Sequence, residues 1–182
     1  MNEIIYKASQ IKLLLMDVDG VLTNGILSYV PAPDGSMAEF KGFNSHDGLG
    51  LMLLHQFGIQ TGLISARTSP AVVERATSMG MKFIYQGHLD KKASYEEIIA
   101  KAGVTEAQTA FIGDDFIDFP QMRRSGLGIA VANARPEIKS AADYVTATAG
   151  GHGAIREVAE LILKAKGHWA SILAQYGLEA GI

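Results

Sequence analysis

The chain has 182 residues, enough for one domain with a substantial core. Apolar residues make up 48% and charged residues 19%, which excludes a disordered chain, and a net charge of -3 gives nucleic-acid binding no electrostatic support. The absence of cysteine removes disulfides, iron–sulfur clusters and thiolate zinc sites. No apolar run approaches the roughly 20 residues that span a bilayer, so no membrane partner is expected. The first seven residues lack the charged region and cleavage pattern of a secretory signal, and the expected location is the cytoplasm.

In chain order, residues 11–16 form an apolar run that reads as a buried strand. A β-hairpin is expected over residues 24–42, two apolar segments around Pro31-Ala32-Pro33-Asp34-Gly35-Ser36. A helix over 47–57 and a strand over 60–64 follow. Ser69 and Pro70 read as a capping hydroxyl and first-turn proline for a helix over 70–79. A strand at 83–85, a helix at 91–102 and a strand at 109–112 come next. Helices at 117–123, 136–141 and 154–166 then alternate with strands at 128–131 and 144–145. Gly58, Gly80 and Gly103 suit left-handed helix ends. Strand–helix alternation predicts an α/β fold, a doubly wound, mostly parallel sheet covered on both faces.

The chemistry-bearing residues fall after strands. Asp17-Val18-Asp19-Gly20-Val21-Leu22-Thr23 places two carboxylates one residue apart beyond the first strand, on the edge where open α/β sheets bind ligands. Two anions in one small site call for a hard divalent cation, most simply magnesium, with a phosphate beside it. Ser65 and Arg67 follow the second strand of the alternation, Lys91 opens a helix after the third, and Gly113-Asp114-Asp115-Phe116-Ile117-Asp118 follows the fourth. A hydroxyl, an ammonium and an acidic cluster on one edge make a phosphate-and-metal site. The five histidines show no convincing metal-ligand spacing, and no zinc is expected.

These four elements, in this order, resemble the haloacid dehalogenase (HAD) superfamily of phosphotransferases. The resemblance implies a single HAD-like domain over 1–182, a Rossmann-like sheet with a hairpin insertion and no cap domain. Lys41-Gly42-Phe43-Asn44-Ser45-His46-Asp47-Gly48, Tyr85-Gln86-Gly87 and the stretch from Gly150 to Glu157 are similar to the family of 3-deoxy-D-manno-octulosonate 8-phosphate phosphatases. That family implies a sugar acid phosphate substrate and a place in lipopolysaccharide biosynthesis. By the same resemblance Asp17 is the nucleophile that forms an aspartyl-phosphate, and Asp19 is the acid and later the base. Ser65 would bind a phosphoryl oxygen, and Lys91 would neutralise charge on the transferring group and hold Asp17. Asp17, the Asp19 carbonyl and Asp114 would hold Mg2+, with Asp115 and Asp118 orienting those ligands. For Asp118 a solvated helix-start carboxylate is the other reading.

The resemblance further implies that Asn44, Ser45, His46, Asp47 and Gly48 line the sugar site, with Arg67 and Arg75 nearby to fork the sugar carboxylate. Arg67 is favoured, because an arginine within a helix, such as Arg75, is ordinarily solvated. His46 and Met52 stand where many members carry arginine, which keeps open a nine-carbon sialic or KDN-type 9-phosphate. Similar proteins are homotetramers in which hairpins assemble centrally and a neighbour covers the uncapped site. The hairpin could instead fold onto its own domain. The tail, 167–182, either packs on a neighbour or closes over substrate. Two other classes compete: a receiver-type signalling module, disfavoured because no aspartate directly follows the third strand of the alternation, and a non-catalytic oligomerisation domain, disfavoured by the intact Asp17, Asp19, Lys91 and Asp114.

Overall fold

The computed structural model describes residues 3–178. A short helix α1 (Glu3–Gln10) precedes β1 (Leu13–Met16). The hairpin strands β2 (Ser28–Pro31) and β3 (Met37–Phe40) come next, then α2 (Ser45–Gln56) and β4 (Gln60–Ser65). The chain continues through α3 (Pro70–Ser78), β5 (Phe83–Gln86), α4 (Lys92–Ala102), β6 (Thr109–Gly113) and α5 (Phe119–Arg124). It closes with β7 (Leu127–Ala130), α6 (Pro136–Ala141), β8 (Tyr144–Val145), α7 (Ala154–Ala165) and α8 (Trp169–Gln175).

Six strands form one parallel sheet in the order β5-β4-β1-β6-β7-β8. β1 is the fourth-from-last strand and is hydrogen-bonded on both sides, Leu15 opposite Gly62 of β4 and Phe111 of β6. A strand flanked by neighbours and covered on both faces needs apolar residues at every position, and all four residues of β1 are buried. The crossovers run from β1 toward both edges of the sheet, so the loops after β1, β4 and β6 meet at one crevice. α7 supports this layer through Ile155, Val158, Ala159, Ile162 and Leu163, an i, i+3, i+4, i+7, i+8 stripe that is fully buried. Each such aliphatic side chain contributes about 1.5–3 kcal/mol by leaving water.

The helices and strands fall close to their expected places, with three differences. α1 gives little sequence signal because it is short and weakly apolar; its Lys7 ammonium reaches Asp143 at 2.7 Å. Ser69 does not cap α3 through its hydroxyl. Instead the Gln86 side-chain amide brackets its backbone, accepting from Ser69 N at 2.6 Å and donating to Ser69 O at 3.3 Å. Among its described residues the tail packs on its own chain: α8 lies on α7, burying Ile172 and stacking His168 on Phe57 with ring centroids 4.2 Å apart. The last part of the tail, 179–182, lies outside the described residues.

The hairpin forms a separate two-stranded sheet. Its turn is closed by Asp34, whose Oδ1 accepts from Ser36 N and Oγ at 3.0 and 2.7 Å. Ile26, Val30, Met37 and Phe40 all remain exposed, Val30 and Phe40 on one face of the strand pair and Met37 on the other, so much of the apolar surface of the hairpin is left open among the described residues. Among the described residues no helix is long and apolar enough to cross a membrane.

Candidate active site

The crevice at the carboxyl ends of β1, β4 and β6 is a cavity of about 140 Å³ lined by Asp17, Asp19, Ser65, Arg67, Asp114 and Asp115, with Ala66 and Ile117. Asp17 stands one residue beyond β1. Its amide continues the sheet by donating to Ile112 O at 3.0 Å, which fixes the backbone from which the carboxylate projects. Gly20 turns the chain at φ +94°, and its missing side chain makes room for Asp114: a Cβ there would stand 2.2 Å from Asp114 Oδ2. The glycine thus lets carboxylates from two separate loops approach one another.

Lys91 lies beneath them, its side chain without exposure. Its Nζ is 2.6 Å from Asp17 Oδ1 and 2.7 Å from Asp118 Oδ1. Burial works against the ammonium, yet the two carboxylates outweigh it and hold Lys91 above its ordinary pKa. Asp118 is fully buried, which removes the solvated reading. Its Oδ2 accepts from Asp114 N at 3.0 Å, so it orients both the lysine and the acidic loop.

The carboxylates of Asp17, Asp114 and Asp118 offer oxygens within 4.8 Å of one another. Burial, then the charge of Asp118, raise Asp17 to about 6 against the opposing pull of Lys91. Burial, followed by the charges of Asp118, Asp17 and Asp115, raises Asp114 to about 7. Three carboxylates share one ammonium, and Asp118 has already committed its oxygens to Lys91 and to the Asp114 amide. Asp17 and Asp114 are left as crowded, anionic oxygen donors facing the cavity. That donor set fits a small hard divalent cation, which would remove the repulsion that raises both pKa values.

Asp19 is gripped from the hairpin side. Lys41, a buried lysine just after β3, donates to Asp19 Oδ1, and Arg67 Nε lies 3.7 Å from Asp19 Oδ2. Arg67 Nη2 also meets Glu39 Oε1 at 2.5 Å and donates to the Tyr29 hydroxyl at 3.3 Å. Ser65 Oγ accepts from Arg67 N at 3.2 Å, holding the β4 turn in shape. In the sequence Lys41 enters only as the first residue of the stretch that carries the resemblance, with no role of its own.

A second residue escaped the sequence. The side-chain amide of Asn133, past β7, donates to Gly20 O at 2.9 Å and accepts from Gly150 N at 2.6 Å. It ties the aspartate loop to the Gly-Gly-His-Gly loop, which packs so closely that a Cβ on Gly150 would stand 1.8 Å from Gly20 O.

Of the seven expected sugar contacts, Arg67 alone lines this cavity in the single chain. Asn44 caps α2, accepting from His46 N at 2.8 Å, and Ser45 and His46 are exposed at that helix start. His46 lines a separate depression with His152 and Arg156. Asp47 is fully buried and accepts from Arg156 N at 2.9 Å, at the start of α7. Arg75 is not solvated: its Nη2 donates to Asn44 O at 3.2 Å and rests where a side chain on the buried Gly48 would stand. In this chain, Asn44, Asp47, Gly48 and Arg75 therefore join α2 to α3 and α7.

Comparison with known proteins agrees with this architecture. The haloacid dehalogenase-like hydrolase family pattern matches residues 65–158. The chain is 39% identical over 165 residues to 3-deoxy-D-manno-octulosonate 8-phosphate phosphatase KdsC of Escherichia coli K12, covering 91% of this chain and 86% of that one. The crystal structure of 3-deoxy-D-manno-octulosonate 8-phosphate phosphatase from Moraxella catarrhalis, in complex with magnesium ion, phosphate ion and KDO, superposes with TM-score 0.90. It is 41% identical, over 97% of this chain and 99% of that one. The cobalt-bound Haemophilus influenzae deoxy-D-mannose-octulosonate 8-phosphate phosphatase gives 0.84 at 40% identity, over 93% and 97%. With the aspartate loop, buried lysine and acidic loop on one sheet edge, the chain belongs to the haloacid dehalogenase-like hydrolases and is a phosphoric monoester hydrolase.

Proposed function

We propose that this enzyme hydrolyses 3-deoxy-D-manno-octulosonate 8-phosphate to the free sugar acid and phosphate, in the cytoplasm and on the route to lipopolysaccharide. The observation that carries the reaction is the grip of Lys91 on Asp17, 2.6 Å apart with the lysine fully buried. The lysine holds one carboxylate oxygen and leaves the other for phosphorus. The substrate assignment is supported by relatives of that activity at about 40% identity over most of the chain.

Asp17 Oδ attacks the phosphorus while the bond to the sugar oxygen breaks, giving an aspartyl-phosphate. Asp19 delivers its proton to the departing sugar oxygen, then takes one from the water that attacks the phosphoenzyme. Ser65, 3% exposed at the end of β4, faces the phosphoryl oxygens, and Lys91 offsets charge as the group transfers. Asp17, Asp114 and the Asp19 carbonyl would hold Mg2+, which when bound offsets the repulsion between an anionic nucleophile and an anionic ester. Asp115, at the exposed rim, and the buried Asp118 orient that set. Arg67 meets the sugar carboxylate.

A homotetramer assembled through the hairpins completes the site. The exposed apolar surface of the hairpin and the open cavity support it, since a site open to bulk water holds a small substrate poorly. The residues from Asn44 to Gly48, with Arg75, line the sugar site within this assembly. The nine-carbon 9-phosphate is the alternative substrate. Phosphate release from both purified sugar phosphates, with magnesium and with a chelator, tests the reading. Preference for the eight-carbon ester is expected, and a tenfold preference for the nine-carbon ester would reverse the assignment.

A further inference from the structure

The hairpin does more than present an apolar face: its root is wired to Asp19. Lys41 Nζ donates to Asp19 Oδ1 and lies 3.4 Å from Glu39 Oε2, and its side chain is 2% exposed. Glu39 in turn holds Arg67, whose Nε approaches the other Asp19 oxygen at 3.7 Å, beyond direct hydrogen-bonding range. Tyr29, on the partner strand β2, steadies the same guanidinium. Three of the four groups around Asp19 thus come from β2, β3 and the residue one past β3. A lysine stripped of water is costly unless an anion meets it. Lys41 meets that cost with the Asp19 carboxylate, and a lysine that served only to hold the hairpin would have had Glu39 alone as a sufficient partner.

We infer that Lys41 is the positioning residue for the proton donor, so that the seat of the hairpin aims Asp19 at the leaving oxygen. This rests on the phosphatase reading above. Lys41 holds Oδ1 and so directs the remaining oxygen, the one through which Asp19 passes a proton in the proposed reaction, toward the ester. As the Asp17 oxygen–phosphorus bond forms and the phosphorus–sugar oxygen bond breaks, the electron pair of the broken bond stays on the sugar oxygen. That oxygen takes the Asp19 proton. An ester whose leaving group departs as a stable anion needs no such proton in the step that forms the aspartyl-phosphate, so that step is indifferent to the aim of Asp19, while hydrolysis of the phosphoenzyme calls on Asp19 as base whatever the ester.

The test compares the two kinds of ester on the full-length chain with magnesium: 3-deoxy-D-manno-octulosonate 8-phosphate or, as a second alkyl ester, glycerol 2-phosphate, against p-nitrophenyl phosphate. Lys41→Met is expected to lower kcat/KM, which reports the steps up to departure of the leaving group, by about 10²-fold on the alkyl esters, the lower range of general-acid contributions, and by less than tenfold on the nitrophenyl ester. Lys41→Arg recovers part of the alkyl-ester loss. Glu39→Gln, which leaves the lysine in place, gives the same direction with a smaller ratio and serves if Lys41→Met does not fold. Losses matched within threefold on both esters, or no loss, overturn the role of Lys41 while wild type remains a phosphatase. A wild-type chain inert toward every ester overturns the phosphatase reading itself, and this inference with it.

Discussion

Lys91 Nζ sits 2.7 Å from Asp118 Oδ1, and neither side chain has any exposure. A pair this deep is held by geometry on every side, because either charge alone would face the interior unneutralised. Lys91→Met strands Asp118 and Asp17 together, and a loss of about 3–5 kcal/mol in unfolding free energy is expected, read by urea denaturation. Asp118→Asn keeps an acceptor for the Asp114 amide while weakening the hold on Lys91. It should lose less stability than Lys91→Met, because Lys91 keeps Asp17 at 2.6 Å, and turn over at least tenfold more slowly. Wild-type turnover in Asp118→Asn would show that orientation of Lys91 does not matter to the chemistry.

Magnesium and protons compete for the same oxygens. Asp17 and Asp114 sit near 6 and 7, well above the ordinary value of 3.8, because burial and then neighbouring carboxylates penalise their charged forms. Without the ion, the folded chain binds protons between about pH 4 and 7 that the unfolded chain has released. Folding stability from these two groups therefore falls as pH rises through that window. Added magnesium replaces those protons, so its gain in melting temperature should be larger at pH 8 than at pH 5.5. Thermal melts with magnesium and with a chelator at both values measure the difference directly, and an equal gain at both would contradict it.

The Asn133 side chain bridges two loops, from Gly20 O to Gly150 N. Asn133→Ala removes one donor and one acceptor and should cost about 1–3 kcal/mol, since Gly20 O and Gly150 N are then left without these partners. Gly150→Ala drives a methyl group into Gly20 O. Overpacking of that kind costs about 1–3 kcal/mol and here displaces the nucleophile loop, so kcat should fall by more than tenfold. Calorimetry and phosphate release separate the two effects; full activity in Gly150→Ala would mean that the loop tolerates the shift.

The hairpin predicts an assembly. Met37 and Phe40 are 59% and 61% exposed on a strand pair separate from the six-stranded sheet. Met37→Asp with Phe40→Ser should therefore leave the single-chain circular dichroism spectrum unchanged and reduce the mass seen by light scattering to that of a smaller species. An unchanged mass would place the subunit contacts elsewhere.

The α/β layer was legible because its strands are uninterrupted apolar runs and its helices end on glycines such as Gly58, Gly80 and Gly103, each at positive φ. The acidic and basic groups of the cavity were legible for a related reason: Asp17, Ser65 and Asp114 each stand at or just past the end of such a run, while Lys91 follows the β5 strand by a short loop. Lys41 and Asn133 gave no such signal. One is a single charge after an exposed strand, the other an isolated amide whose partner Gly20 lies 113 residues away in sequence. Asn44, Asp47 and Gly48 entered through resemblance, which places them at the sugar; within the chain Asn44 caps α2 and Asp47 Oδ1 accepts from Arg156 N, while Asp47 Oδ2 is buried with no partner among the described residues. A polar side chain in a loop looks the same in sequence whether it meets a ligand or a backbone amide.

Arg67 rests with its guanidinium on Glu39, an acid of its own chain. Under the proposed function, a sugar carboxylate would reach that fork as a rival to Glu39, and selectivity between acidic and neutral sugars would then be set by the difference between two carboxylates rather than by the strength of either. Removing the resident acid would make the pocket bind acids more tightly and tell them apart from other anions less well.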